Sequence, residues 1–187
     1  NWPPLLGLFF LSLLTTGFHI QTSAIRSVDS FDNPIAFVDK TSVDLKWDDE
    51  GIPTPFDIYN IYRGTNPIPI ASLSTSVTFF RDSGLSEGQS YSYRIEAYDS
   101  VNEIVRDSSG PHTVTAGHLG GTLYADKTWP AGTYNLYGSV NVATGALFTI
   151  QPWAAVDGAG DYSISDLSGG ILNINGVSMM ADVIISH

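Results

Sequence analysis

Gly120-Gly121-Thr122-Leu123-Tyr124 returns as Thr144-Gly145-Ala146-Leu147-Phe148, and again as Gly169-Gly170-Ile171-Leu172-Asn173. The leucines of the three copies stand 24 and 25 residues apart. Each copy joins a glycine bend to a short apolar strand. A fixed period of this size predicts a coil that stacks on copies of itself, with the three leucines facing one interior. Between the copies, Tyr134-Asn135-Leu136-Tyr137 precedes Val140-Asn141-Val142, a turn at Ala143-Thr144-Gly145, and the strand Leu147-Phe148-Thr149-Ile150. Pro152 ends that strand, because proline donates nothing to a ladder. Asp157 to Asp161 reads as a loop. Ile164, Ile171 to Ile174 and Val183 to Ile185 read as the next coil.

Upstream, residues 25–117 read differently. Val43, Leu45 and Trp47 alternate with polar residues, as do Phe56 to Arg63 and Tyr91 to Asp99. Short strands are also predicted at Ile70 to Leu73, Val77 to Phe80 and within Val101 to Thr115. Seven strands in about 90 residues, separated by Gly, Pro and Ser/Thr turns, predict a two-sheet sandwich. Tyr59, Tyr62, Tyr91, Tyr93 and Tyr98 read as packing residues rather than as a sugar-stacking face. Arg63-Gly64-Thr65 reads as a hairpin turn. Asp48, Asp49 and Glu50 bunch three carboxylates without the alternating spacing that wraps ligands around calcium, and read as a solvated loop.

Two resemblances rest on these residues. Thr41 to Trp47, Tyr59 to Gly64 and Asp82 to Asp99 resemble a bacterial fibronectin type III domain. The resemblance implies that Trp47 fills the core and that Leu85 packs beneath a tyrosine corner formed by Tyr91. Its departure is the stretch Ile25 to Asp39, which replaces the usual Pro-rich first strand. Tyr134 to Pro152 resembles the opening of a right-handed parallel β-helix, as in pectate-lyase-like and surface proteins. There the departure is Trp153, where glycine is usual. The fold class expected is mainly β: an Ig-like fibronectin type III sandwich followed by a partial right-handed parallel β-helix.

Composition bounds location and partners. The net charge is −11 and charged residues make up 14% of the chain. An acidic chain without a Lys/Arg cluster is repelled by phosphate backbones, so no nucleic-acid partner is expected. There are no cysteines, which excludes disulfides, thiolate metal sites and thiol nucleophiles. Leu5 to Leu14 has the length of a signal-peptide core rather than of a membrane span. Thr22-Ser23-Ala24 resembles a signal-peptidase site, so cleavage after Ala24 is expected. No stable membrane span is expected after that cleavage. Secretion without disulfides points to a bacterial or archaeal exported protein. The absence of an initiator Met and of a third full coil is read as truncation. The expected division is a signal peptide at 1–24, the sandwich at 25–117 and the first coils of the β-helix at 118–187.

No catalytic, cofactor or metal residues are assigned. His112 and His118 lack companions at ligand spacing, and no nucleophile elbow or phosphate loop occurs. Asp157, Asp161 and Asp166 form carboxylate pairs of the kind glycosidases use, but any acidic chain supplies such pairs. After residue 106 the only Lys or Arg is Lys127. The function expected is a secreted or cell-surface scaffold for adhesion or for glycan or protein binding, without catalysis in this segment. One alternative is the N-terminal part of a secreted polysaccharide lyase or glycoside hydrolase whose active site lies beyond residue 187. Another is an extracellular filament subunit that self-associates through an open edge at Val183-Ile184-Ile185.

Overall fold

The computed structural model describes residues 31–49, 51–174, 178–179 and 183–186. The expected signal peptide lies outside them. The described residues form strands and turns without helix. In chain order the strands are β1 (Ile35–Val38), β2 (Ser42–Lys46), β3 (Ile58–Arg63), β4 (Ala71–Ser74), β5 (Phe79–Ser83), β6 (Ser90–Asp99), β7 (Ile104–Ser108) and β8 (His112–Thr115). They continue with β9 (Leu119–Leu123), β10 (Lys127–Trp129), β11 (Gly132–Val142), β12 (Leu147–Ile150), β13 (Ala154–Gly158) and β14 (Tyr162–Asp166). The last three are β15 (Ile171–Ile174), β16 (Ser178–Met179) and β17 (Val183–Ser186).

The first eight strands pair antiparallel in two layers. One layer holds β1, β2 and β5; the other runs β4-β3-β6-β7, with β8 on β6 beyond β7. Val43, Leu45 and Trp47 are fully buried between the layers with Tyr59, Ile61, Tyr93 and Ile95. Burying aromatics of this size is worth about 2–3 kcal/mol each. The Trp47 ring meets Tyr59 edge-on at 5.4 Å. Burial pushes the Tyr59 hydroxyl up to about 12. At the corner before β6, the Ser86 N–H donates to the Tyr91 hydroxyl at 2.9 Å, and Leu85 is buried beneath. Asp44, on the other side of β2, is buried as well, because Arg81 covers it with two hydrogen bonds of 2.6 and 2.7 Å.

From β9 onward the strands pair parallel. β11 bends: its first half pairs with β13 and its second half with β14, while β9 pairs along its other side at Leu136 and from Val140 to Val142. β10, β12 and β15 form a separate parallel sheet. The chain therefore winds around three faces, and each turn lays a rung on the one before. Trp129 lies over Ile150 and Ile174, and Val140 lies over Ile164, around a common apolar interior.

The coils are present, but the leucine register is not the one expected. Leu123 is buried and pairs with Val142, not with Leu147. Leu147 faces outward at 37% exposure opposite Ile171, while Leu172 lies under Phe148. The cause is unequal coils. From Val140 to Ile164 the step is 24 residues, but from Gly121 to Val140 it is 19. A one-residue offset in a strand moves a side chain to the other face. Asp157 also departs from expectation: it belongs to β13, in register with Asn135 of β11. Trp153 occupies the left-handed region (φ 70) where glycine is at ease, and the residue is 85% exposed.

The two halves share a strand. β1 pairs with β2 on one edge and with β9 on the other, both antiparallel, so one continuous sheet runs from β5 to β16. Phe37 is buried in the coil interior and its neighbour Val38 in the sandwich interior. The approach is close: a Cβ on Gly121 would stand 2.1 Å from the Ala36 carbonyl oxygen. Asp39 completes the junction. It forms an ion pair with Lys127 and accepts a 3.1 Å hydrogen bond from the Trp129 indole.

Candidate functional site

Leu119 and Leu136 are in register, and both point into the coil. Strand alternation then sends His118, Asn135 and Tyr137 outward. Beyond Leu136 the register shifts, and Val140 is the next residue paired, with Gly121. The extra residues of β11 bulge at this corner, which re-aims the side chains there. The bulge fits because Gly120 and Gly138 meet backbone to backbone; a Cβ on Gly120 would lie 2.9 Å from the Gly138 Cα. On this corner the rings of His118 and Tyr137 stack 4.0 Å apart and 12° from parallel. Both are exposed, Tyr137 at 48%.

The stacked pair stands in a groove where the coil meets the sandwich. On one side is a cleft of about 310 Å³ lined by Val38, Thr113 to Thr115 and the two rings. On the other is a cleft of about 180 Å³, where Glu87 and Asn135 flank the rings. An aromatic ridge with hydroxyls, an amide and a carboxylate around it offers an apolar surface with hydrogen-bonding rims. Asp157 continues the outward row one rung beyond Asn135.

Two other clefts are occupied with structural tasks. One, of about 270 Å³, surrounds Asp39, Lys127, Trp129 and Tyr134, where Lys40 lies 4.6 Å from the Tyr134 ring centre. Asp39 and Lys127 pair there, and Lys40 is held over the ring. The other, of about 260 Å³, lies at the sandwich end by Phe56, Asp57 and Asp99. There Asp99 accepts from Arg106 and Asn102, which hold its carboxyl down to about 2. Asp57 accepts from the Ser100 hydroxyl and N–H, which lower it too. Both carboxylates fasten the loop between β6 and β7.

Of the tyrosines read as packing residues, Tyr59, Tyr62 and Tyr93 are buried, and the Tyr93 hydroxyl donates to Asp82 at 2.7 Å. Among the described residues no three His, Asp or Glu side chains converge as metal ligands would. No described helix is long and apolar enough to cross a membrane. Asp157, Asp161 and Asp166 stand on β13, in the turn after it and on β14, while Lys127 is engaged by Asp39. The residue missed in the sequence is Tyr137. Its signal is the alternation around Leu136, which turns Tyr137 outward as surely as it turns Leu136 inward.

No protein-family model and no curated protein matches the sequence. Among solved structures, the chain is similar to a family 28 exopolygalacturonase of Yersinia enterocolitica, with 15% identity and a TM-score of 0.37, covering 67% of this chain and 31% of that one. It is also similar to pectate lyase Pel3 of Pectobacterium carotovorum, again at 15% identity and a TM-score of 0.37, covering 75% of this chain and 62% of that one. The chain thus spans less than two thirds of either protein's length.

Proposed function

We propose that this chain works outside the cell as a glycan-binding scaffold, with the groove beside Tyr137 as its contact surface. The carrying observation is the exposed His118–Tyr137 stack. Two rings locked against each other have little rotamer freedom left to lose on binding. The C–H face of a pyranose packs on such a ring, and its hydroxyls reach Asn135, Glu87 and the threonines of β8. In this reading the sandwich is a fibronectin type III-like module. Its support is the strand pairing, the buried Trp47 and the Ser86–Tyr91 hydrogen bond at the corner. The coils are taken to wind right-handed, as parallel crossovers do.

Electrophoresis of the full chain through gels containing soluble polysaccharides tests the reading. At least one polysaccharide should retard the wild type and not Tyr137→Ala. Unchanged mobility in every gel would end the proposal.

A second reading makes the chain part of a polysaccharide lyase or glycoside hydrolase. In its favour, Asn135 and Asp157 stand in register on consecutive rungs, so a glycan lying across the rungs meets a carboxylate beside the groove. Cleavage would then rest on coils other than those described. Release of new chain ends from a retained polysaccharide by the whole protein separates this reading from simple binding.

A further inference from the structure

We propose that the groove beside Tyr137 selects uncharged polysaccharides and rejects polyuronates and sulfated glycans. The inference rests on the glycan-binding reading above and names the class of glycan. Its basis is where the positive charges are.

The sequence holds eight Lys and Arg residues, of which Arg26 lies outside the described residues. The other seven are all placed. Arg63, Arg81, Arg94, Arg106 and Lys127 form ion pairs with Asp82, Asp44, Glu96, Asp99 and Asp39. Lys46 donates to the Thr78 hydroxyl and the Trp47 carbonyl, both at 3.0 Å. Lys40 lies over Tyr134, in the separate cleft around Asp39. None of the seven lines either side of the His118–Tyr137 stack. The acidic side chain that does is Glu87, and Asp157 follows on the next rung.

An anionic sugar is recognised by cations, above all by the planar guanidinium that grips a carboxylate or sulfate. Here its charge meets Glu87 and Asp157 and the field of a chain with net charge −11. A polymer carrying one carboxylate per sugar repeats that repulsion along the groove, within a screening length of about 10 Å at ordinary salt. A neutral chain meets none of it. It keeps the stacking on Tyr137 and the hydrogen bonds to Asn135 and Glu87. From residue 118 onward the described coil holds four Asp and one Lys, and that Lys is already paired with Asp39.

The test runs the full chain at low salt through gels containing hydroxyethylcellulose, galactomannan or polygalacturonate, with wild type, Tyr137→Ala and Glu87→Lys side by side. The expected result is retention by a neutral polymer, weakened about tenfold in Tyr137→Ala with an unchanged melting curve. Polygalacturonate should not retain the wild type and should begin to retain Glu87→Lys. Polygalacturonate retention of the wild type that Tyr137→Ala abolishes overturns the charge selection and leaves the glycan reading standing. Retention by no polymer overturns both. Neutral retention indifferent to Tyr137→Ala removes the groove from the assignment.

Discussion

Phe37 and Val38 are consecutive in β1 and are buried in different interiors, Phe37 in the coil and Val38 in the sandwich. A strand has two faces, and here each face belongs to a different packing unit. Neither unit loses β1 without exposing its own apolar residues.

Phe37→Ala should therefore weaken the whole chain. Removing a buried ring costs about 3–5 kcal/mol. The loss should appear in one transition, with tryptophans of both units, Trp47 and Trp129, reporting the same denaturation midpoint. Separate midpoints would show that sharing β1 does not couple the units.

Asp39 should behave as a buried ion-pair partner. Asp39→Asn leaves the Lys127 ammonium without its countercharge, an arrangement that costs about 3 kcal/mol or more. Adding Lys127→Met should recover most of that loss in urea denaturation. A cost of about 0.5 kcal/mol or less would class the pair with solvent-exposed bridges.

Acid should release Asp99. Its folded carboxyl is held down to about 2 by Arg106 and Asn102. A depressed carboxyl contributes stability above its unfolded value of about 4 and loses that contribution as pH falls through its folded value. The stability difference between wild type and Asp99→Asn should thus be constant at neutral pH and shrink between about pH 4 and 2. A difference that stays level through that window would mean Asp99 acts through shape, not charge.

Two glycines should separate close approach from backbone freedom. At Gly145 (φ 82) an added Cβ meets nothing within 4 Å, so Gly145→Ala should cost about 1 kcal/mol, the left-handed penalty alone. At Gly121 the same change also drives a methyl into the Ala36 carbonyl and should part β1 from β9. Equal effects in thermal melts would mean the two strands are not held as closely as described.

Much of this is legible in the sequence, for reasons particular residues make plain. The 24-residue step is real. Ser139 meets Ser163, Asn141 meets Ser165 and Thr144 meets the Ser168 carbonyl, each 24 residues on. What misleads is the first coil, which is shorter, so equal spacing carries Leu123 and Leu147 to different faces. The alternation of Val43, Leu45 and Trp47 identifies a buried strand face because both layers cover it. The contact of β1 with β9 is illegible. Phe37 and Gly121 are 84 residues apart, and no period or motif in either strand announces the other. The groove is half legible. Leu136 foretells that Tyr137 points outward, but its stacking on His118 depends on a bulge no local rule requires.

β1 lies antiparallel on the first rung, where an earlier parallel rung would otherwise sit. On that face, a further parallel rung added by gene duplication or by docking of another molecule would meet a reversed strand. The single reversed strand thus gives that face of the stack a first rung distinct from all the others.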